Sequence, residues 1–453
     1  MKKFTAKAVF LAGFGLAVLG VYQPGRAAGP SAWQVELSLQ AQGHLVLMQE
    51  KGKARVPLKL DSTQRYEQYH LVHRGVPTSL CWYQQAAATV EVDGQKVPQQ
   101  LPQRRRLLAV QTLKARVVLF RPGGPLSREE LDLLDLPGHP HALRTLLRQY
   151  QDPWEPDATW RPRPGHLAAL LGLDAVGAST VRARVRTLDR EQGYLSVVLR
   201  GKVDGAIHGV ATQIDLKATL KATWPEREPL ELNMTLQEKR PIGHVGPGLE
   251  VQATVHLKRR RLSGPIHLAR HLDRLPHQPA DPMALRLELV QPELGLRLEH
   301  DRRWHVVHVS QQGLVMRLLD RGELVAQCNI GRAPREKGPL AAQPWRERVS
   351  QSLGEHFARW SQPARVLKLK NGNQALHLTA EGEVEGLPIL WDYWILRSPA
   401  GHQATVLFTL EKKFAGRFGN ADRLIVHTLQ FLALEDRGEP TAAGAGPAGE
   451  KRR

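Results

Sequence analysis

Apolar and polar positions alternate through VATQIDLKATLKA. Val210, Ile214, Leu216, Ala218 and Leu220 point one way, and Gln213, Asp215, Lys217, Thr219 and Lys221 the other. LELNMTLQ repeats the pattern, with Leu230, Leu232, Met234 and Leu236 against Glu231, Asn233, Thr235 and Gln237; LEVQATVHLK repeats it again. A period of two sustained over neighbouring segments predicts an antiparallel sheet with one dry face and one wet face. VRARVRTL and YLSVVLRGKV upstream supply two more strands. From Trp33 to about Phe120, segments such as WQVELSLQ, ARVPLKL, TSLCWYQ, ATVEVDGQKV and ARVVLF also read as strands. Asp93-Gly94 is a hairpin signal, because both residues tolerate the positive φ that tight turns need. The dry face requires a cover, from the chain's own helices, from closure of the sheet, or from a ligand.

The middle segment offers helices for that task. Ser127 with Glu130 three residues on forms a capping box, opening a helix through Leu131 and Leu134. A second helix is expected from His141 to Tyr150, and a short third around LAALLGL. Pro clusters with polar residues from Ser263 to Pro282, which reads as a linker. Beyond it, WHVVHVS, GLVMRLL and ELVAQCNI form a strand meander. Pro344 suits the first turn of a helix whose stripe is Trp345, Val349, Leu353, Phe357 and Trp360. Strands RVLKLK, ALHLTAEGEV, LPILWDYWIL and QATVLFTL follow, and Asn420 caps a last helix. The expected fold class is α+β, in two domains that each pack an antiparallel sheet with a few helices. The parse is a curved-sheet domain with a helical plug over residues 28–262, a linker over 263–282, a second domain over 283–434 and a low-complexity, disordered tail over 435–453.

The first 27 residues change the picture by adding an address. Lys2, Lys3 and Lys7 precede an apolar run from Ala8 to Val21, too short for the roughly 20 residues that span a hydrocarbon core. Gly25-Arg26-Ala27 then offers small residues where a signal peptidase reads, placing the cut after Ala27, with Ala28 the next choice. The first cysteine is Cys81, so no lipid-anchoring cysteine lies near the cut. An exported chain, periplasmic or extracellular and without a membrane span after signal removal, is expected. Two cysteines in 453 residues exclude a disulfide scaffold. Loss of Lys2, Lys3, Lys7 and Arg26 takes the formal charge from +19 to +15, an excess that favours anionic surfaces.

The order of elements from Leu285 to Leu434, with segments such as RLLDRGELVAQCNI and LPILWDYWILRSPAGHQATVLFTL, resembles the PsbP-like and DcrB-like envelope domains. That resemblance implies an α/β sandwich and brings no catalytic motif. The amphipathic strands and helical plug of the first domain loosely resemble curved-sheet carriers of the LolA type. The whole layout is similar to large exported proteins of GC-rich bacteria such as planctomycetes.

Candidate chemistry is thin. His267 and His271 are four apart, with Asp273, His277 and Asp281 near, but four prolines spoil the helix a zinc pair would need, and no HExxH glutamate is present. His305 and His308, at odd spacing in a strand, point to opposite faces unless a bulge intervenes. Glu381, Glu383 and Glu385 share a strand face, where a solvated row outweighs a glycosidase pair. GxSxG and P-loop motifs are absent, and Cys81 and Cys328 read as core residues. Arg104-Arg105-Arg106 and Lys258-Arg259-Arg260-Arg261 are basic runs at strand ends or loops and read as solvated charge able to touch anionic lipid or polysaccharide. Without interleaved aromatics they make no nucleic-acid platform. Trp391 and Tyr393 share one face, with Trp394 opposite. No catalytic, cofactor-binding or metal residue is assigned. The function expected is a non-enzymatic interaction or scaffold module of the cell envelope, whose partner is an envelope protein. The alternatives are a carrier holding a lipid-like apolar ligand against the dry face, and an unrecognised hydrolase.

Overall fold

The computed structural model describes residues 31–432, apart from short breaks at 51, 74–75, 114–115, 152, 264–265, 275, 277–278 and 337. The expected signal segment and the expected tail lie outside the described residues. The first unit contains β1 (Ser31–Gln49), β2 (Gly52–His73), β3 (Val76–Val92), β4 (Gln95–Gln100), β5 (Leu107–Leu113), β6 (Arg116–Phe120) and β7 (Leu126–Ser127). Helices α1 (Arg128–Leu134) and α2 (Pro140–Arg148) follow, then β8 (Thr159–Trp160) and α3 (Pro164–Leu171). The unit ends with β9 (Ala175–Ser179), β10 (Arg182–Asp189), β11 (Tyr194–Ile207), β12 (Val210–Thr223), β13 (Pro229–Arg240) and β14 (Gly248–Arg261).

These strands make one 13-stranded antiparallel sheet in the order β6-β5-β3-β2-β1-β14-β13-β12-β11-β10-β8, with β4 on β3 and β9 on β11. β1 joins two meanders by pairing with β2 on one side and β14 on the other. The alternation read from sequence becomes rows across the sheet: Val185, Val197, Leu220, Leu232, Leu257 and Leu37 are successive cross-strand partners, all buried. Leu131, Leu134, Leu143, Leu147, Leu167 and Leu170 of the three helices belong to the same core cluster. The dry face is thus covered by the chain itself, each buried leucine contributing about 1.5–3 kcal/mol of burial. The capping box at Ser127 and Glu130 forms, and Asp93-Gly94 turns with φ of 52° and 79°.

The second unit begins with β15 (Leu287–Gln291) and β16 (Leu296–His300), then β17 (Trp304–Val309), β18 (Gly313–Asp320) and β19 (Glu323–Ala333). After α4 (Ala342–Leu353) come β20 (Phe357–Trp360), β21 (Arg365–Lys368), β22 (Gln374–Val384), β23 (Leu387–Arg397) and β24 (Gln403–Glu411). Helices α5 (Ala415–Phe418) and α6 (Ala421–Thr428) and strand β25 (Gln430–Phe431) close it. An eight-stranded sheet runs β17-β18-β19-β24-β23-β22-β20, with β21 also on β22. A smaller sheet, β25-β16-β15-β7, takes β7 from the first unit and so stitches the two together.

Two expectations are corrected. The fold is not a balanced α+β arrangement: the described residues hold 25 strands against six short α-helices, in three sheets, and are mostly β. The helix from Pro344 does not carry its stripe to Trp360. Gly354, at φ 55°, stops it, and Phe357–Trp360 pairs with β22 as a strand. Asn420 does precede the last helix, but its side chain makes no capping bond. Among the described residues no helix is long and apolar enough to cross a membrane.

Candidate functional site

Among the described residues, a buried polar network, a junction of ion pairs and an open groove bear on function. The first is sealed inside the first unit. Ser79 on β3 bonds His70 Nδ1 at 2.9 Å and His141 Nε2 at 2.7 Å, and Thr112 Oγ1 meets His141 Nδ1 at 3.0 Å. Gln68 Nε2 donates to Ser79 Oγ at 3.2 Å, while its Oε1 accepts from Arg259 Nη2 at 3.1 Å. Glu228 holds Arg144 at 2.7 Å and Arg259 at 3.6 Å. Burial, with help from Arg144 and Arg259, pushes His70 down to about 2; burial, with Arg259, takes His139 to about 3. Burial first, then the neighbouring histidines and arginines, drives His141 well below its usual range. These rings are neutral at pH 7. A serine 2.7 Å from an imidazole is the beginning of a nucleophile–base pair, but the outer nitrogen faces a threonine rather than a carboxylate, and both members are inaccessible.

The second place is the junction of the units. Arg105 pairs with Glu130 and, at 3.3 Å, with Glu288, and donates to Pro125 O at 2.7 Å. Arg302 donates to Leu119 O at 2.5 Å, and Arg128 to the carbonyls of Arg302 and Trp304. Nearby, His305 packs on His208 with ring centroids 4.4 Å apart.

The third is an open groove of about 510 Å³ between the units. The tip of the β1–β2 hairpin forms one wall through Val46, Leu47 and Met48, the last 67% exposed. Ile242 to Pro247, the bulged strand β17, through Val306, Val307 and His308, and β18, through Val315 and Arg317, form the rest. Its charged or ionisable lining is His244, His308 and Arg317, with no carboxylate.

The residues singled out from sequence are scattered among these features. His267 takes Glu67 at 2.8 Å, whereas His271 stacks on Trp82 at 5.1 Å; Leu268 between them is buried against Leu80. They do not share a ligand direction, and His277 lies outside the described residues. A bulge does intervene between Val306 and His308, yet His305 meets His208 while His308 lines the groove. Glu381 is bound by Arg359 and Lys412, each at 2.9 Å; those bonds hold its carboxyl below the usual range, and Glu383 and Glu385 are exposed. Cys81 and Cys328 are free and buried, and burial pushes both thiols up. Trp391 and Tyr393 lie in one core cluster and Trp394 in the other. Of the basic runs, Lys258–Arg261 do form a strand end, that of β14, but two members are not solvated: Arg105 is a junction tie, and Arg259 is buried over the Trp33 ring at 4.4 Å. Sequence reasoning missed the Ser79 network, whose only signal was His139-Pro140-His141 before an apolar run.

No family model and no curated protein matches the chain. Among solved structures it is similar to cyanobacterial PsbP (CyanoP) from Synechocystis sp. PCC 6803, at 14% identity and TM-score 0.25, over 33% of this chain and 93% of that one. It is also similar to the translocator domain of autotransporter NalP from Neisseria meningitidis, at 6% identity and TM-score 0.13, over 84% and 88%. Pseudomonas putida OprB follows at 9% identity and TM-score 0.12, over 84% and 92%. The PsbP likeness is a loose resemblance limited to a third of the chain, and none of these similarities carries a function across.

Proposed function

We propose that this protein is an exported cell-envelope protein that works by binding, as a non-enzymatic interaction or scaffold module. The observation that carries the reading is the groove between the units. There Met48 stands 67% exposed beside half-buried Val46, Leu47, Val306 and Val307, in a concave setting built by both units. The dry face of the large sheet is filled by Leu131, Leu143, Leu167 and their neighbours, which speaks against a ligand held there. A carrier reading keeps support only in the groove, where apolar walls and Arg317 suit an amphiphile with an anionic head. A hydrolase reading has the Ser79–His141 pair, which solvent does not reach.

A photo-crosslinker placed at Met48 in the exporting cell tests the proposal. Capture of a defined envelope protein, lost with Val307→Asp, supports it. Native mass spectrometry that finds a co-purified lipid and no crosslinked protein favours the carrier instead. Amino-terminal sequencing of the mature chain is expected to start at Ala28, or at Gly29 for the alternative cut; a chain starting at Met1 in the cytosol overturns the envelope reading.

A further inference from the structure

Strand β21 shares one edge of the second unit's sheet with β20, the two pairing with successive stretches of β22. It pairs with β22 through Arg365–His377, Val366–Leu376, Leu367–Ala375 and Lys368–Gln374, and no strand covers its other side among the described residues. All four of its residues are exposed, and Val366 and Leu367 are 52% and 41% accessible on opposite faces. An open edge carries unpaired backbone donors and acceptors, a template for one more strand. Here that template holds two apolar side chains between two cations, with Lys370 just beyond. No ion pair or hydrogen bond engages the side chains of Arg365, Lys368 or Lys370 among the described residues. Elsewhere in the same sheet Arg359 is paired with Glu381, which also takes Lys412 from the turn after β24.

The charges also choose the occupant. A second copy in antiparallel register, centred between Val366 and Leu367, sets Arg365 opposite Lys368, and like charges directly opposite are destabilising. The edge therefore rejects itself and selects a strand of opposite sign.

We infer that β21 is a strand-addition site for an extended segment of another protein, one with two central apolar residues flanked by carboxylates. Backbone bonds to the free edge supply affinity; Val366 and Leu367 supply apolar contact on the two faces; Arg365 and Lys368 select against basic or neutral flanks. The inference rests on the second unit alone and does not depend on the groove.

The test uses the full mature chain and a fluorescent synthetic octapeptide with Glu-Val-Ile-Glu at its centre. Binding followed by anisotropy is expected to be about tenfold tighter than for the same peptide with Lys-Val-Ile-Lys, two cross-strand charge pairs having changed sign. It should weaken at high salt, because these charges are exposed. Arg365→Glu with Lys368→Glu should invert the preference. Leu367→Asp should abolish binding while circular dichroism stays unchanged. Methylating the peptide's backbone nitrogens should remove binding, since strand addition needs them. Equal binding of the acidic and basic peptides, binding that survives methylation, or no binding overturns the inference. So does a wild-type dimer dissolved by Leu367→Asp, which would assign the edge to a second copy.

Discussion

Ser79 Oγ stands 2.7 Å from His141 Nε2 across the seam between β3 and α2. The bond ties the helical cover to the sheet beneath it, since His141 is at the start of α2 and Ser79 in the sheet. Its role is structural because both groups are buried and the other ring nitrogen meets Thr112, not a carboxylate; burial first, then His70, His139, Arg144 and Arg259, holds His141 neutral.

That neutrality predicts acid sensitivity. His70, at about 2, and His139, at about 3, bind a proton far less readily folded than the ordinary unfolded value near 6.5. Above about pH 6.5 both states are neutral and stability is full; as pH falls below it the unfolded chain gains protons that the folded one refuses. Each such histidine removes about 1.4 kcal/mol per pH unit, down to its folded value. Urea midpoints measured from pH 7 to pH 4 should fall steeply, and His70→Gln should make the slope shallower. A flat profile would contradict the buried network.

Leu216 tests the covered face. It is fully buried beneath the helices, so Leu216→Asp places an unpaired carboxylate in the core and should cost roughly 4 kcal/mol or more. Loss of the cooperative thermal transition, with no uptake of an apolar dye by the wild type, is the expected result. A folded variant that merely stops taking up dye would mean that the face is an open cup.

The strand alternation from Val210 to Leu257 was legible because one face is buried and the other is wet over three consecutive strands, so the period of two is written plainly. The capping box at Ser127 was legible because its two bonds are local. What could not be read is non-local. Phe357 and Trp360 fit a helical stripe by spacing, and only pairing with β22 makes them a strand. Arg259 sits in a basic run that suggests a solvated loop, while Glu228, Gln68 and Trp33, distant in sequence, make its burial tolerable. The groove joins β1 to β17 across more than 250 residues, and no local pattern announces such a meeting.

The junction makes a prediction of its own. Arg105 lies between Glu130 and Glu288, all three side chains at most 14% exposed. Arg105→Met leaves the Glu130 carboxylate with the Ser127 N–H but no cation, and Glu288 with Arg297 alone, at a cost of about 1–3 kcal/mol. Because Glu288 belongs to β15, which pairs with β7 of the first unit, the loss should fall on the contact between units. Calorimetry should split into two transitions, and amide exchange at Leu287 and Glu288 should quicken. A single unshifted transition would remove Arg105 from its role.

Gly209 and Gly322 offer the sharpest comparison. They meet at the turns β11–β12 and β18–β19, with φ of 74° and 85°, so any side chain at either is strained by its backbone alone. Space separates them. A Cβ at Gly209 would lie 2.3 Å from Gly322 Cα and from its carbonyl oxygen, whereas a Cβ at Gly322 would lie 3.0 Å from Gly209 Cα. Backbone cannot rotate away as a side-chain tip can, so Gly209→Ala must push the turns apart while Gly322→Ala needs only a small adjustment. Both variants should lose about 1 kcal/mol to the left-handed backbone. Gly209→Ala should lose further stability and should also loosen the neighbouring His208–His305 contact. Burial pushes His305 down to about 3, so freeing that ring should raise its titration midpoint, which proton NMR would follow. Equal stability loss in the two variants, with His305 unmoved in both, would show that the turns do not touch in solution.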